Sequence, residues 1–255
     1  MIGAIAGDII GSSYEHWPIK STDFPLFDSS SRFTDDTVLT IAVAKAIMEE
    51  GNYLEAIIRL GRKYADAGYG GAFRKWLASD SHEAYGSWGN GSAMRVSPVG
   101  FAFNTVDEVL REARRTAEIS HNHPEGIRGA QAVALAVYLA RTTGSRDVIR
   151  EEISGRFGYD LNRSVEEIRP GYHFEVSCRR SVPEAIIAFL DSENFEEAIR
   201  NAVSLGGDAD TQACIAGGIA QACYGQIPHH IADRIPEFLT DELLEITEEF
   251  TRTFL

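Results

Sequence analysis

Apolar residues recur at three- and four-residue intervals along most of this 255-residue chain, and no other feature restricts its fold so strongly. The pattern predicts helices over Val38–Met48, Leu54–Ala65, Val106–Ile119, Ile127–Ala140, Val182–Leu190, Phe195–Val203 and Leu239–Phe250. Alanine is abundant inside these segments and adds intrinsic helix propensity. Alternation suited to a half-buried strand is scarce. Ile168–Cys178 is the one moderate candidate, and an extended loop accounts for it equally. The uncharged stretch Thr211–Ile231 is rich in Gly and Ala but carries Gln212, Gln221, Gln226 and Pro228. It predicts a helix buried in a protein core, since a lipid-facing span is more uniformly apolar. The expected fold class is all-α. With neither an internal repeat nor a low-complexity linker, residues 1–255 are expected to form a single domain. Pro18–Phe33, Gly68–Pro98 and Gly155–Arg180 are expected to be long loops, of the kind that usually carry function.

Charge narrows the function classes. Lys and Arg total 24 against 38 Asp and Glu, a formal net charge of −14, and such a surface repels phosphodiester backbones. Direct nucleic-acid binding is therefore not expected. Cys178, Cys214 and Cys223 are odd in number and lie among apolar residues, which predicts buried free thiols of a reducing compartment. The start MIGAIAGDIIG has no basic segment and is interrupted by Asp8, so a signal peptide is not expected. A cytoplasmic protein without a membrane span follows, and we expect a monomer.

Two short stretches carry the chemistry. Thr34-Asp35-Asp36-Thr37 and Gly206-Gly207-Asp208-Ala209-Asp210-Thr211 each open a helical pattern. Each suits a helix N-cap, where Thr and Asp satisfy free N–H groups and complement the dipole. Each also carries one carboxylate more than a cap needs. Brought face to face, the pair would form an all-oxygen cage whose charge calls for protons or cations. Hard divalent ions such as Mg²⁺ or Mn²⁺ take such ligands, and the lack of Cys or paired His nearby argues against zinc. We favour a two-metal site over coincident caps.

Ser87-Trp88-Gly89-Asn90-Gly91-Ser92-Ala93-Met94-Arg95 is a glycine-rich stretch that could bring backbone N–H groups to an anion, or serve as a plain turn. In Ser120-His121-Asn122-His123-Pro124-Glu125-Gly126, metal binding, loop capping and surface exposure all remain open for the histidines. Asp8 needs a buried partner and suits a role supporting the cage, while Glu15 could reach a pocket from its rim. The acidic tail from Glu237 to Glu249 is expected to be a solvated helix face.

Taken in order, Gly7-Asp8, TDDT, SWGNGSAMR, SHNHPEG and GGDADTQACIAGGIAQACYG resemble the ADP-ribosylglycohydrolases, the DraG-like and ADP-ribosyl-acceptor hydrolases, over nearly the whole chain. The resemblance implies an all-α orthogonal helical bundle with a binuclear Mg²⁺ or Mn²⁺ centre in a cleft. It implies Thr34, Asp35, Asp36, Asp208, Asp210 and Thr211 as metal ligands. It places Gly89, Asn90, Gly91, Ser92 and His121 against the substrate, and Glu15, Asp35 and Asp36 in the reaction itself. The implied activity is hydrolysis of the bond between ADP-ribose and an acceptor, on a protein or a small molecule, through an oxocarbenium-like transition state. The stretch from Gly7 to Glu15 is closer to the serine-type, O-linked branch, in which a glutamate at this point sits on a mobile flap. Arginine-linked hydrolysis and a non-catalytic ADP-ribose-binding or structural role are the alternatives, and a surface or loop-anchoring role remains open for Glu15.

Overall fold

The computed structural model describes residues 1–49 and 51–255. Its helices are α1 (Ile2–Gly11), α2 (Asp35–Met48), α3 (Tyr53–Lys63), α4 (Gly71–Ala78), α5 (Gly91–Met94), α6 (Ser97–Ala102), α7 (Val106–Glu118) and α8 (Pro124–Thr143). There follow α9 (Arg146–Phe157), α10 (Val165–Ile168), α11 (Cys178–Leu190), α12 (Phe195–Ser204), α13 (Ala209–Tyr224), α14 (His229–Ala232), a 3₁₀ turn at Ile235–Glu237, and α15 (Asp241–Phe254). No strand occurs among the described residues, so the fold is all-α as expected.

Helix α13 runs through the middle, packed by α1, α8, α11 and α12. Every residue from Ala209 to Gln221 is buried, which is why this segment shows no polar stripe. Outer helices such as α3, α7, α12 and α15 are amphipathic and turn one apolar face inward; in α7 that face is Val109, Ala113 and Ala117. No helix of the described residues is long and apolar enough to cross a membrane.

The pairing of α1 with α13 sets the geometry of the site. Gly3, Gly7 and Gly11, four residues apart, lie against Gly217, Ala213 and Ala209 in antiparallel register. A Cβ at Gly7 would overlap the Ala213 carbonyl, so the two backbones meet with no side chain between them. Glycine is a poor helix former, and periodicity alone did not mark Ile2–Gly11 as a helix. Tertiary burial stabilises it instead, since every residue from Gly3 to Gly11 is buried.

Other expectations are revised. The helix predicted through Ile231 ends at Tyr224, because Gly225 takes a left-handed φ of 73° and Pro228 follows. Ile168–Cys178 is no strand: α10 ends inside it, and its sole ladder contact is an isolated bridge from Ser177 to Gly89. The presumed loops contain α4, α5 and α10. Cys178 and Cys214 are buried free thiols, whereas Cys223 is only half-buried. The acidic tail is divided between the 3₁₀ turn and α15, where Glu242 pairs with Lys63 at 2.6 Å.

Candidate active site

The site is assembled on Asp8. This wholly buried carboxylate, near the end of α1, accepts the Thr34 N–H at 2.9 Å, the Thr34 hydroxyl at 2.6 Å and the Thr37 N–H at 3.1 Å. The Thr37 hydroxyl donates to it as well. Asp8 thereby clamps the first turn of α2 to α1. Thr34 is the N-cap of α2, its hydroxyl oxygen accepting the Asp36 N–H at 3.3 Å. The cap of this tetrad is made by the Thr34 hydroxyl.

The second acidic motif lies opposite. Asp208 occupies the N-cap position of α13, with Asp210 and Thr211 in the first turn. Because Gly11 lies against Ala209, the start of α13 falls beside the Asp8 clamp. Carboxylate oxygens of Asp8, Asp36 and Asp210 lie within 4.8 Å of one another, and so do those of Glu15, Asp208 and Asp210. Asp210 belongs to both groups, so the two form one continuous acidic centre. Thr211 completes the link, its hydroxyl donating to Asp36 Oδ2 at 3.3 Å. Asp35 stands apart from these clusters and forms part of the cavity wall.

Protons are held tightly in this centre. Burial, reinforced by Asp8 and Asp35, raises the Asp36 carboxyl well above its ordinary range. Burial, with Asp208 and Asp36, does the same to Asp210. Asp35 is pushed up to about 8 by desolvation and then by Asp8. Asp208 is pushed only to about 6, because Asn90 donates to it at 2.7 Å against the effect of burial. Asp36 Oδ1 is buried with no hydrogen-bond partner in the protein. An all-oxygen donor set that repels itself and leaves a carboxylate oxygen unpaired fits hard divalent cations.

A cavity of about 440 Å³ opens over this centre. Glu15, Asp35, Asp36, Asp208, Asp210 and Thr211 form its acidic side. Phe73, Tyr85, Phe174 and Val176 supply apolar walls, and Gly89, Asn90, Gly91 and His121 complete the lining. Its volume is in the range of small-ligand sites, roughly 300–1,000 Å³. Thr34 and Ser92 were expected at the site but do not line the cavity. The Thr34 hydroxyl is engaged with Asp8 and the Asp36 N–H, and the Ser92 hydroxyl donates to the Gly126 carbonyl at 2.7 Å.

The glycine-rich stretch differs in detail from the expected cradle. Its Gly89 N–H is directed to the Ser87 hydroxyl at 3.2 Å, and its Asn90 N–H donates to the Val176 carbonyl at 2.7 Å. Neither Gly89 nor Gly91 adopts a left-handed φ. Space at position 91 is tight, since a Cβ there would stand 3.0 Å from His121 Nε2. The two histidines of SHNHPEG part company: His121 is buried against the cavity, while His123 caps α8, its Nδ1 accepting the Glu125 N–H at 3.1 Å. Tyr85, Phe73, Phe174, Val176 and Arg95 were not foreseen. Only the aromatic density of the Gly68–Pro98 region, and the position of Arg95 inside SWGNGSAMR, hinted at any of them.

A wider hollow of about 920 Å³ lies over α9, α10 and the start of α11, lined by Arg128, Arg156, Arg163, Arg179 and Arg180. Four of these arginines pair with Glu125, Glu152, Glu184 and Glu175, and among the described residues no acidic centre converges there. The chemistry therefore belongs to the smaller cavity.

Desolvated carboxylates gathered beneath a ligand-sized cavity, within an all-α bundle, make a site suited to divalent cations and a small ligand. The ADP-ribosylglycohydrolase family model matches residues 1–254, and the chain belongs to that family. It is accordingly an ADP-ribosyl-acceptor hydrolase, and its substrates carry ADP-ribose. Among its relatives, ADP-ribosylhydrolase ARH3 of Mus musculus is 28% identical over 89% of this chain and 84% of its own length. The Homo sapiens ARH3 is 26% identical over 93% and 86%. ADP-ribosylarginine hydrolase Tri1 of Pseudomonas putida is 25% identical over 88% and 69%. A solved structure described as an ADP-ribosylglycohydrolase-related protein complex superposes with a TM-score of 0.73 at 25% identity, covering 100% of this chain and 96% of its own.

Proposed function

We propose that this hydrolase releases ADP-ribose from O-linked, serine-type acceptors on proteins or small molecules. The observation that carries the proposal is the placement of Glu15, whose carboxylate lies within 4.8 Å of those of Asp208 and Asp210 on the cavity wall. The Glu15 side chain is 23% exposed, so it meets both the acidic centre and the opening through which an acceptor enters.

In this reading Asp35, Asp36, Asp208 and Asp210 hold two Mg²⁺ or Mn²⁺ ions, with the hydroxyls of Thr34 and Thr211 beside them. When bound, the cations supply Lewis-acid chemistry, polarising the ribose hydroxyls and acidifying a water. Asp8, through its hydrogen bonds to Thr34 and Thr37, keeps Asp35 and Asp36 in place. Gly89, Asn90, Gly91 and His121 orient the ADP-ribosyl group, and Ser92 anchors their loop through Gly126. Glu15 is placed to accept a proton from the attacking water or to pass one to the departing serine oxygen, which needs it because an alkoxide is a poor leaving group. The buried free thiols Cys178 and Cys214 support a cytoplasmic location.

Arginine-linked substrates are the second reading, favoured by the likeness to Tri1. Peptides carrying ADP-ribose on serine or on arginine, incubated with the same enzyme and followed by mass spectrometry, separate the two. Faster release from serine, lost in Glu15→Ala while ADP-ribose still binds, is the expected outcome. Faster release from arginine would reverse the assignment.

A further inference from the structure

Arg95 is a wholly buried cation, and among the described residues no carboxylate lies within ion-pair distance of it. Its Nη2 donates to the Thr116 carbonyl at 2.8 Å and to Ser120 Oγ at 3.0 Å. Ser120 is wholly buried too, and its Oγ stands 2.8 Å from His121 Nδ1. The proton positions follow from donor and acceptor capacity. A guanidinium can only donate, so the Ser120 oxygen accepts from Arg95. The single Ser120 proton then has one acceptor in reach, His121 Nδ1. Were Nδ1 protonated, that hydroxyl hydrogen would be buried without a partner, at a cost of about 1–3 kcal/mol. Burial and the neighbouring Arg95 charge also hold His121 well below its usual range, so the ring is neutral and carries one proton.

The other ring nitrogen lies against the glycine loop. His121 lines the cavity, and its Nε2 is the atom that a Cβ at Gly91 would meet at 3.0 Å and one at Gly89 at 3.9 Å. We infer that Arg95 and Ser120 are positioning residues that hold His121 as the Nε2–H tautomer, a hydrogen-bond donor to an acceptor oxygen of the ligand in the glycine-loop half of the cavity. A phosphate or ribose oxygen satisfies that donor, whereas a ligand ammonium group at the same point is rejected. The ligand side of this inference rests on the cavity being the ADP-ribose site; the tautomer does not.

Arg95 is too deeply embedded for its removal to be informative, so Ser120 and the imidazole signal carry the test. Nitrogen-15 NMR of histidine-labelled full-length protein, with His121→Gln to assign the resonance, reads the tautomer directly. In the wild type, Nε2 is expected to be protonated and Nδ1 bare, unchanged between about pH 6 and about pH 8. Ser120→Ala should give a mixture of tautomers and raise the ADP-ribose Kd about tenfold, the loss of one hydrogen bond. A proton on Nδ1 in the wild type, or an unaltered His121 signal in Ser120→Ala, overturns the relay. A wild type with the expected tautomer that does not bind ADP-ribose overturns the functional reading of the cavity instead.

Discussion

Asn90 donates its side-chain amide to Asp208 at 2.7 Å, and its second amide hydrogen is directed to the Ser181 hydroxyl at 3.1 Å. The glycine-rich loop and the start of α13 are thereby joined at the acidic centre. Asn90→Ala leaves Asp208 without its fixed donor. Loss of such supporting contacts typically costs roughly 10–100-fold in metal affinity. Titration of the variant with Mn²⁺ by calorimetry should show a loss of that size, with helical content unchanged; wild-type affinity would remove Asn90 from the support of the site.

The raised carboxyls make metal-free stability depend on pH. Asp35 titrates near 8 in the fold against an ordinary 3.8, and Asp36 and Asp210 are also raised. Below the unfolded value these groups are protonated in both states and cost nothing. As pH rises, the unfolded chain releases protons that the fold retains, so stability falls from about pH 4 towards about pH 8. The Tm of EDTA-treated protein should therefore decline across that window. Saturating Mg²⁺ or Mn²⁺ should raise Tm most at the alkaline end, because the ions bind the native carboxylates. A Tm shift from metal that is equal at both ends would contradict this account.

Removing a carboxylate separates stability from function. Asp35→Ala and Asp210→Ala should abolish turnover and weaken metal binding while circular dichroism stays that of the native protein, since each change removes a source of repulsion. Thr34→Val should be milder, because its hydroxyl serves Asp8 and the α2 cap. Full activity in both aspartate variants, or turnover after exhaustive EDTA treatment, would count against a metal-assembled site.

Two glycines should fail in opposite ways. Gly7→Ala drives a methyl into the Ala213 carbonyl and separates α1 from α13. Urea denaturation should show a loss of about 3 kcal/mol or more, the upper end for overpacking. Gly91→Val meets only the edge of His121, so stability and metal loading should be retained while the ADP-ribose Kd rises about tenfold. An unchanged Kd in Gly91→Val would withdraw this loop from the substrate site.

Much of this molecule was legible in one dimension, because helix periodicity and N-cap chemistry are local. The outer helices, the start of α2 at Thr34 and the all-α class all follow from residues within a few positions of one another. The acidic motifs were legible for a related reason: a helix cap needs one carboxylate, and each motif has one to spare. Helix α1 was not, since its glycines disfavour a helix until Ala213 and Gly217 lie against them. Nor could local pattern show that Asp8 would find its partners in Thr34 and Thr37, or that the Ser92 hydroxyl would turn away to Gly126. The partners of Arg95, at Thr116 and Ser120, lie more than twenty positions along the chain. Contacts of that kind depend on how buried surfaces fit and on which polar groups burial leaves to satisfy one another, and only the tertiary structure decides that.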